Sequence, residues 1–183
     1  MKNILIYLGT HNGRGELSTQ LKENQHDLYY AFECNSMLFK ELKQLQPYYP
    51  KLRLVLKAAW VHNDTMTLNI GSSKQYGSSF FKKKHLREPS ANRESTATVE
   101  CIDFSSWLSE NFTNELIDLH LDIEGAEYEV LNKMIKDGSI DLIKSIVVEW
   151  HTSKVKNVDY WQSKKDILEV LKEKKIDLIE WRR

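Results

Sequence analysis

The run Leu116-Ile117-Asp118-Leu119-His120-Leu121 breaks off at Asp122-Ile123-Glu124-Gly125, and a helical period begins directly behind it. A buried strand that ends in acids and turns at a glycine into a helix belongs to a parallel α/β sheet. Acids at the carboxyl end of such a strand sit where open α/β sheets bind ligands. One turn then presents Asp122, Glu124 and Glu127 close together. Carboxylates also favour the positive end of a helix dipole, so an acidic helix start is the plainer alternative. A second glycine loop, at the end of the first strand, favours the ligand reading.

The rest of the chain repeats the joint. Asn3-Ile4-Leu5-Ile6-Tyr7-Leu8 is a continuous apolar run closed by Gly9, as expected of a strand buried on both faces. A helix with Leu17 and Leu21 one turn apart follows, then a strand over 27–32 ending at Glu33. Asn35 or Ser36 caps a helix bearing Leu38, Leu42 and Leu45, and Pro47 and Pro50 end it. Further strands are expected over 52–59, 65–70, 98–102, 116–121, 145–149 and 176–181. Asp103 caps a short helix through Trp107 and Leu108. Residues 125–136 form a helix with Ala126, Val130, Met134 and Ile135 inward, closed by Gly138. Ile167, Val170 and Leu171 mark the last helix. Strands alternating with helices give an α/β fold: a Rossmann-like, doubly wound, mostly parallel sheet.

Residues 71–96 break the pattern. They carry Lys74, Lys82, Lys83, Lys84, Arg87 and Arg93 against Glu88 and Glu94. A stretch this long without periodicity reads as a loop or lid on a single domain spanning 1–183. Its charge is local, because Lys plus Arg and Asp plus Glu both number 26 in the whole chain. A zero balance argues against an overall nucleic-acid or membrane footprint. Cys34 and Cys101 form no C-x-x-C pair, which disfavours a zinc ribbon or disulfide framework. The apolar run at 4–8 is too short for a signal-peptide core or a membrane span. The expectation is a soluble, cytoplasmic protein with no membrane partner.

The strand ends gather the chemistry. The first supplies Tyr7, Gly9, Thr10, His11, Asn12 and Gly13. The second supplies Glu33, about 20 residues past the glycine loop, where nucleotide-binding α/β domains hold ribose hydroxyls. The fourth parallel strand supplies Asp122 and Glu124, and the fifth supplies Glu149 and His151. Each is a weak signal alone. Together they point to a nucleoside-bearing ligand. The absence of G-x-G-x-x-G and of a P-loop lysine disfavours dinucleotide oxidoreductases and nucleotide triphosphatases.

These residues resemble the FkbM family of S-adenosylmethionine-dependent methyltransferases over 3–151. The match is most specific in Leu121-Asp122-Ile123-Glu124-Gly125-Ala126-Glu127-Tyr128-Glu129-Val130-Leu131 and in Ile146-Val147-Val148-Glu149-Trp150-His151. Gly9-Thr10-His11-Asn12-Gly13 resembles the family's cofactor loop, and Ala31-Phe32-Glu33-Cys34-Asn35 its ribose segment. Ala58-Ala59 resembles its adenine-side segment, Tyr76-Gly77-Ser78-Ser79-Phe80 a segment near the acceptor, and Ile102-Asp103-Phe104 the element before the fourth parallel strand. Tyr7 stands where the family usually has an acid. The chain also leaves room for a sheet truncated at its last strand.

The resemblance implies a class I methyltransferase fold, with S-adenosylmethionine held by Tyr7, Gly9, Thr10, His11, Asn12, Gly13, Glu33, Ala59 and Asp122. It implies O-methylation of a hydroxyl, with a small-molecule or glycan acceptor. Asp122, Glu124, Glu149 and His151 are the clustered catalytic candidates. Asp122 is placed where cofactor and acceptor meet. His151 is favoured as general base because its ordinary pKa lies nearest neutrality. Glu149 orients it or joins Asp122 on a divalent cation, magnesium or manganese suiting such donors; the requirement stays open. Glu127 and Glu129 read as helix-surface charges, and the tryptophans, Trp161 among them, as core or partly buried anchors. RNA methylation and a non-catalytic nucleoside-binding module are the alternatives. The basic loop speaks for the first, and Tyr7 for the second. An open acceptor site leaves a homo-oligomer possible.

Overall fold

The structure, a computed structural model, describes residues 1–71, 75–81, 95–151 and 160–181. The chain runs β1 (Asn3–Leu8), α1 (Glu16–Glu23), β2 (Leu28–Phe32), α2 (Ser36–Leu42), β3 (Leu52–Val55), β4 (Ala58–Trp60), β5 (Asp64–Gly71), β6 (Gln75–Ser79) and β7 (Thr96–Asp103). It continues through α3 (Phe104–Asn111), β8 (Leu116–Leu121), α4 (Glu127–Asp137), β9 (Ile143–Val148), α5 (Tyr160–Glu173) and β10 (Asp177–Glu180).

Six strands make the main sheet in the order β10-β9-β8-β1-β2-β3, all pairs parallel. The chain steps outward from β1 to β3, then returns to the other side of β1 with β8. The order therefore reverses between β1 and β8. That switch point opens a crevice at the carboxyl ends of the strands. This is the expected doubly wound, Rossmann-like sheet.

Both faces of β1 are covered, which explains its unbroken apolar run. Ile4, Ile6 and Leu8 pack with β8, β9, α3, α4 and α5 through Leu119, Leu121, Val148, Phe104, Leu131 and Ile167. Leu5 and Tyr7 face the opposite layer with Leu17, Leu21, Phe39 and Leu42 of α1 and α2. Each such fully buried Leu, Ile or Phe side chain stabilises the fold by roughly 1.5–3 kcal/mol. On β8 the pattern alternates instead: Ile117, Leu119 and Leu121 are buried, while Asp118 and His120 point the other way, half-buried.

The caps fall where the sequence puts them. Asn35 accepts from the Met37 N–H at 3.0 Å and Asp103 from the Ser106 N–H at 3.1 Å. The expected single strand over 52–59 is instead two. β3 completes the main sheet, and after Leu56 and Lys57 the chain enters a second sheet, ordered β4-β7-β5-β6. An apolar run cannot reveal that its two halves pair with different partners. The helix expected over 125–136 starts at Glu127, because Glu124 and Gly125 take left-handed φ values of 58° and 114°.

Within 71–96, Gln75–Ser79 forms β6, antiparallel to β5. Lys74, Lys82, Lys83, Lys84, Arg87 and Arg93 lie outside the described residues. Trp161 is 76% exposed, a correction to its reading as an anchor. Among the described residues no helix is long and apolar enough to cross a membrane.

Candidate active site

Backbone hydrogen bonds stitch the strand ends together just beyond the sheet. The Asp122 N–H donates to the Leu8 carbonyl at 3.1 Å, and the Glu149 N–H to Leu121 at 2.9 Å. The Phe32 carbonyl accepts from both Gly9 and Thr10, at 3.0 and 3.1 Å, and the Glu33 N–H donates to Val55 at 3.1 Å. The backbones of Gly9, Thr10, Glu33, Asp122 and Glu149 are thus fixed by neighbouring strands. The loops themselves are tightly wound. His11 and Glu124, at φ 53° and 58°, are non-glycine residues in the left-handed region, a conformation that concentrates at functional sites.

Tyr7, Gly9, Thr10, His11, Asn12, Glu33, Ala59, Asp122 and Glu124 line one cleft at this edge. Gly13 is not among its lining residues. At φ 74° it makes room for α2 packing, since a Cβ there would stand 2.6 Å from Leu42 Cδ1 and 2.7 Å from Leu45 Cδ1. That packing alone demands a glycine here. Glu33 is 7% exposed and accepts from the Asn35 N–H at 2.8 Å. Burial pushes its carboxyl up to about 7, with the amides of Asn35, His11 and Cys34 holding it down in part. A desolvated carboxylate of this kind gains most from a ligand's hydroxyl donors.

Asp122 also belongs to a second group. Asp122, Glu149 and His151 each offer a donor atom, all within 4.8 Å of one another. His151 Nε2 lies 3.8 Å from Asp122 Oδ1, 3.7 Å from Glu149 Oε1 and 3.7 Å from Glu124 Oε2. The other ring nitrogen, Nδ1, is 2.8 Å from Glu127 Oε1. Burial works against the imidazolium, but the Glu127 hydrogen bond and the charges of Glu127, Asp122 and Glu149 outweigh it, so the His151 pKa is raised. The argument for a base of ordinary pKa therefore does not carry over to this ring. Carboxylates so close together need a cation among them, and a charged imidazole or a metal ion can supply it.

The family model described as "Methyltransferase FkbM domain" matches residues 8–176. The chain belongs to the FkbM methyltransferase family. A solved structure, the methyltransferase FkbM from Methylobacillus flagellatus KT, matches 92% of this chain with a TM-score of 0.53 at 11% identity, a likeness of fold. The FkbM chain described here spans 37% of that protein's length. No curated protein matches it.

Glu127 is the largest departure from the sequence reading. It is 0% exposed, not a surface charge. It accepts from the Ile123 N–H at 3.0 Å and from the Gly125 N–H at 3.1 Å while also meeting His151. An acid at a helix start that reaches back to preceding amides is a known capping habit, and this was the signal available. Ser79, in the segment that resembles the family's acceptor-side element, donates its hydroxyl to the Glu124 carbonyl at 2.6 Å, joining β6 to the turn after β8. Lys57, paired with Glu100 at 3.2 Å, also lines the cleft and was not foreseen.

Proposed function

We propose that this FkbM-family domain is an S-adenosylmethionine-dependent O-methyltransferase acting on a hydroxyl of a sugar or glycan. The observation that carries the reading is the double membership of Asp122, which lines the cleft and belongs to the acid–histidine group beside it. A residue in both is where donor and acceptor would meet.

The cleft residues fit a nucleoside. Glu33 is a buried acceptor suited to a ribose diol, Ala59 gives a small apolar wall for a base, and Thr10, His11 and Asn12 line the same cavity. Tyr7, 4% exposed, fills the family's acid position with an apolar ring. Bound S-adenosylmethionine would supply an electrophilic methyl group, whose transfer to an oxygen releases one proton that the site must take. Alignment supplies most of the rate in such a displacement. The stitched strand ends hold Asp122 and Glu149 for that purpose.

The donor set of two carboxylates and one imidazole fits magnesium or manganese. A cation held there would lower the pKa of an acceptor hydroxyl. The carboxylates around it, Glu124 included, would take the proton. The same negative charge supports a neutral acceptor, because a phosphate backbone would be repelled by Asp122, Glu124 and Glu149.

Calorimetric titration with S-adenosylhomocysteine, with and without magnesium or manganese, tests the reading. Saturable one-site binding is expected, strengthened or reshaped by the cation. No binding at millimolar ligand would overturn it in favour of a non-catalytic module.

A further inference from the structure

We propose that Glu127 is the positioning residue of this site: it holds His151 in one tautomer, with Nδ1 protonated and the Nε2 lone pair turned toward Asp122 and Glu149. The inference rests on reading Asp122, Glu149 and His151 as one donor group.

Four observations lead here. First, among the described residues Glu127 Oε1 is the carboxylate oxygen within hydrogen-bond reach of the His151 ring, at 2.8 Å from Nδ1, whereas the oxygens near Nε2 stand at 3.7–3.8 Å. A neutral imidazole places its single proton where a hydrogen bond receives it. Second, both Glu127 oxygens already accept backbone N–H groups, from Ile123 and Gly125, so the side chain acts here as an acceptor and Nδ1 faces it as the donor. Third, the carboxylate is itself held, by the Ile123 N–H at 3.0 Å and the Gly125 N–H at 3.1 and 3.3 Å. Its geometry is therefore set by the turn that carries Asp122 and Glu124. Fourth, Glu127 is the first residue of α4, whose buried Tyr128, Val130, Leu131 and Met134 anchor it to the core. One side chain thus couples the turn after β8 to the segment after β9.

A ring nitrogen held by a carboxylate presents its partner nitrogen in a fixed direction and as a stronger ligand. Loss of such an outer partner typically weakens metal binding by about 10–100-fold. A carboxamide cannot reproduce the arrangement, because it carries donor hydrogens beside its acceptor and no charge.

The test uses the full chain labelled with [15N]histidine, Mn²⁺ alone as the metal probe, and Glu127→Gln. Long-range proton–nitrogen correlation at alkaline pH, where the ring is neutral, should show the native His151 protonated at Nδ1 and bare at Nε2. In Glu127→Gln the ring should lose that single form. Mn²⁺ followed by electron paramagnetic resonance should then bind about 10-fold more weakly or worse. The far-ultraviolet circular dichroism and the cooperative thermal melt should be retained, which a general loss of structure would not allow. A native ring protonated at Nε2 overturns the proposal, as does a Glu127→Gln protein with native tautomer and native Mn²⁺ affinity. Should the variant not fold, the native spectrum decides alone. A native protein that binds S-adenosylhomocysteine but no Mn²⁺ removes the cation reading and leaves the tautomer to judge Glu127. One that binds no S-adenosylhomocysteine removes the methyltransferase reading and leaves the same judgement standing.

Discussion

A Cβ atom on Gly9 would stand 2.0 Å from the backbone carbonyl oxygen of Asp122. The glycine loop after β1 and the acid turn after β8 are therefore packed backbone against backbone, and Asp122 by itself requires a glycine at position 9. Its φ of 82° adds a second demand for glycine. Gly9→Ala should destabilise the fold by roughly 3 kcal/mol or more, combining overpacking with the left-handed cost. Gly138→Ala is the control. Its φ is 83° but no atom lies within 4 Å of the added Cβ, so only the conformational cost of about 1–2 kcal/mol applies. Urea unfolding of the two variants measures the difference, and equal losses would refute the backbone contact.

Asp122→Asn separates chemistry from structure. The backbone N–H of Asp122 keeps its bond to Leu8, and asparagine keeps the side chain's shape. Melting temperature should therefore stay near native. Methyl transfer to the best acceptor from a glycan screen should fall by about 10²–10⁴-fold, the range expected when an acid–base group is removed. Native turnover would show that Asp122 is not central and that the cleft and the acid–histidine group work apart.

Where the sequence was readable, the reason is periodicity. β1 and β2 are short apolar runs, β8 and β9 carry buried apolar residues at intervals, all are bounded by glycine or acid, and α4 repeats its apolar face, so their places follow from burial alone. The acids Glu33, Asp122, Glu124 and Glu149 were legible because they stand at strand ends. Glu127 was not, because surface and buried acids at a helix start look alike until the fold brings His151 across from the end of β9. The packing demand on Gly13 was hidden for the opposite reason. Its partners Leu42 and Leu45 are about 30 residues away, and a glycine in a loop does not announce whether ligand or side chain needs the space. The sheet switch between β3 and β4 is likewise a matter of distant pairing partners, chiefly β7.

His120 makes the last prediction, one about stability rather than catalysis. It lies on β8, on the face that Ile117, Leu119 and Leu121 do not use, with its ring 5.2 Å from that of Tyr7. Burial drives its pKa down to about 4 from 6.5; Glu16 and Asp118 pull the other way, and His26 adds to the lowering. The folded state thus prefers the neutral ring, whereas the unfolded chain takes up a proton near 6.5. The stability that depends on the neutral ring is complete above pH 6.5 and is lost as pH falls through the window down to about 4. At ~1.4 kcal/mol per tenfold change in proton affinity, the loss amounts to about 3 kcal/mol. His120→Gln removes the titrating group and keeps a polar side chain. Urea unfolding at pH 7 and at pH 4 should show the native protein losing about 3 kcal/mol more than the variant across that interval. Parallel losses in the two proteins would mean that the ring is protonated at no cost in the fold.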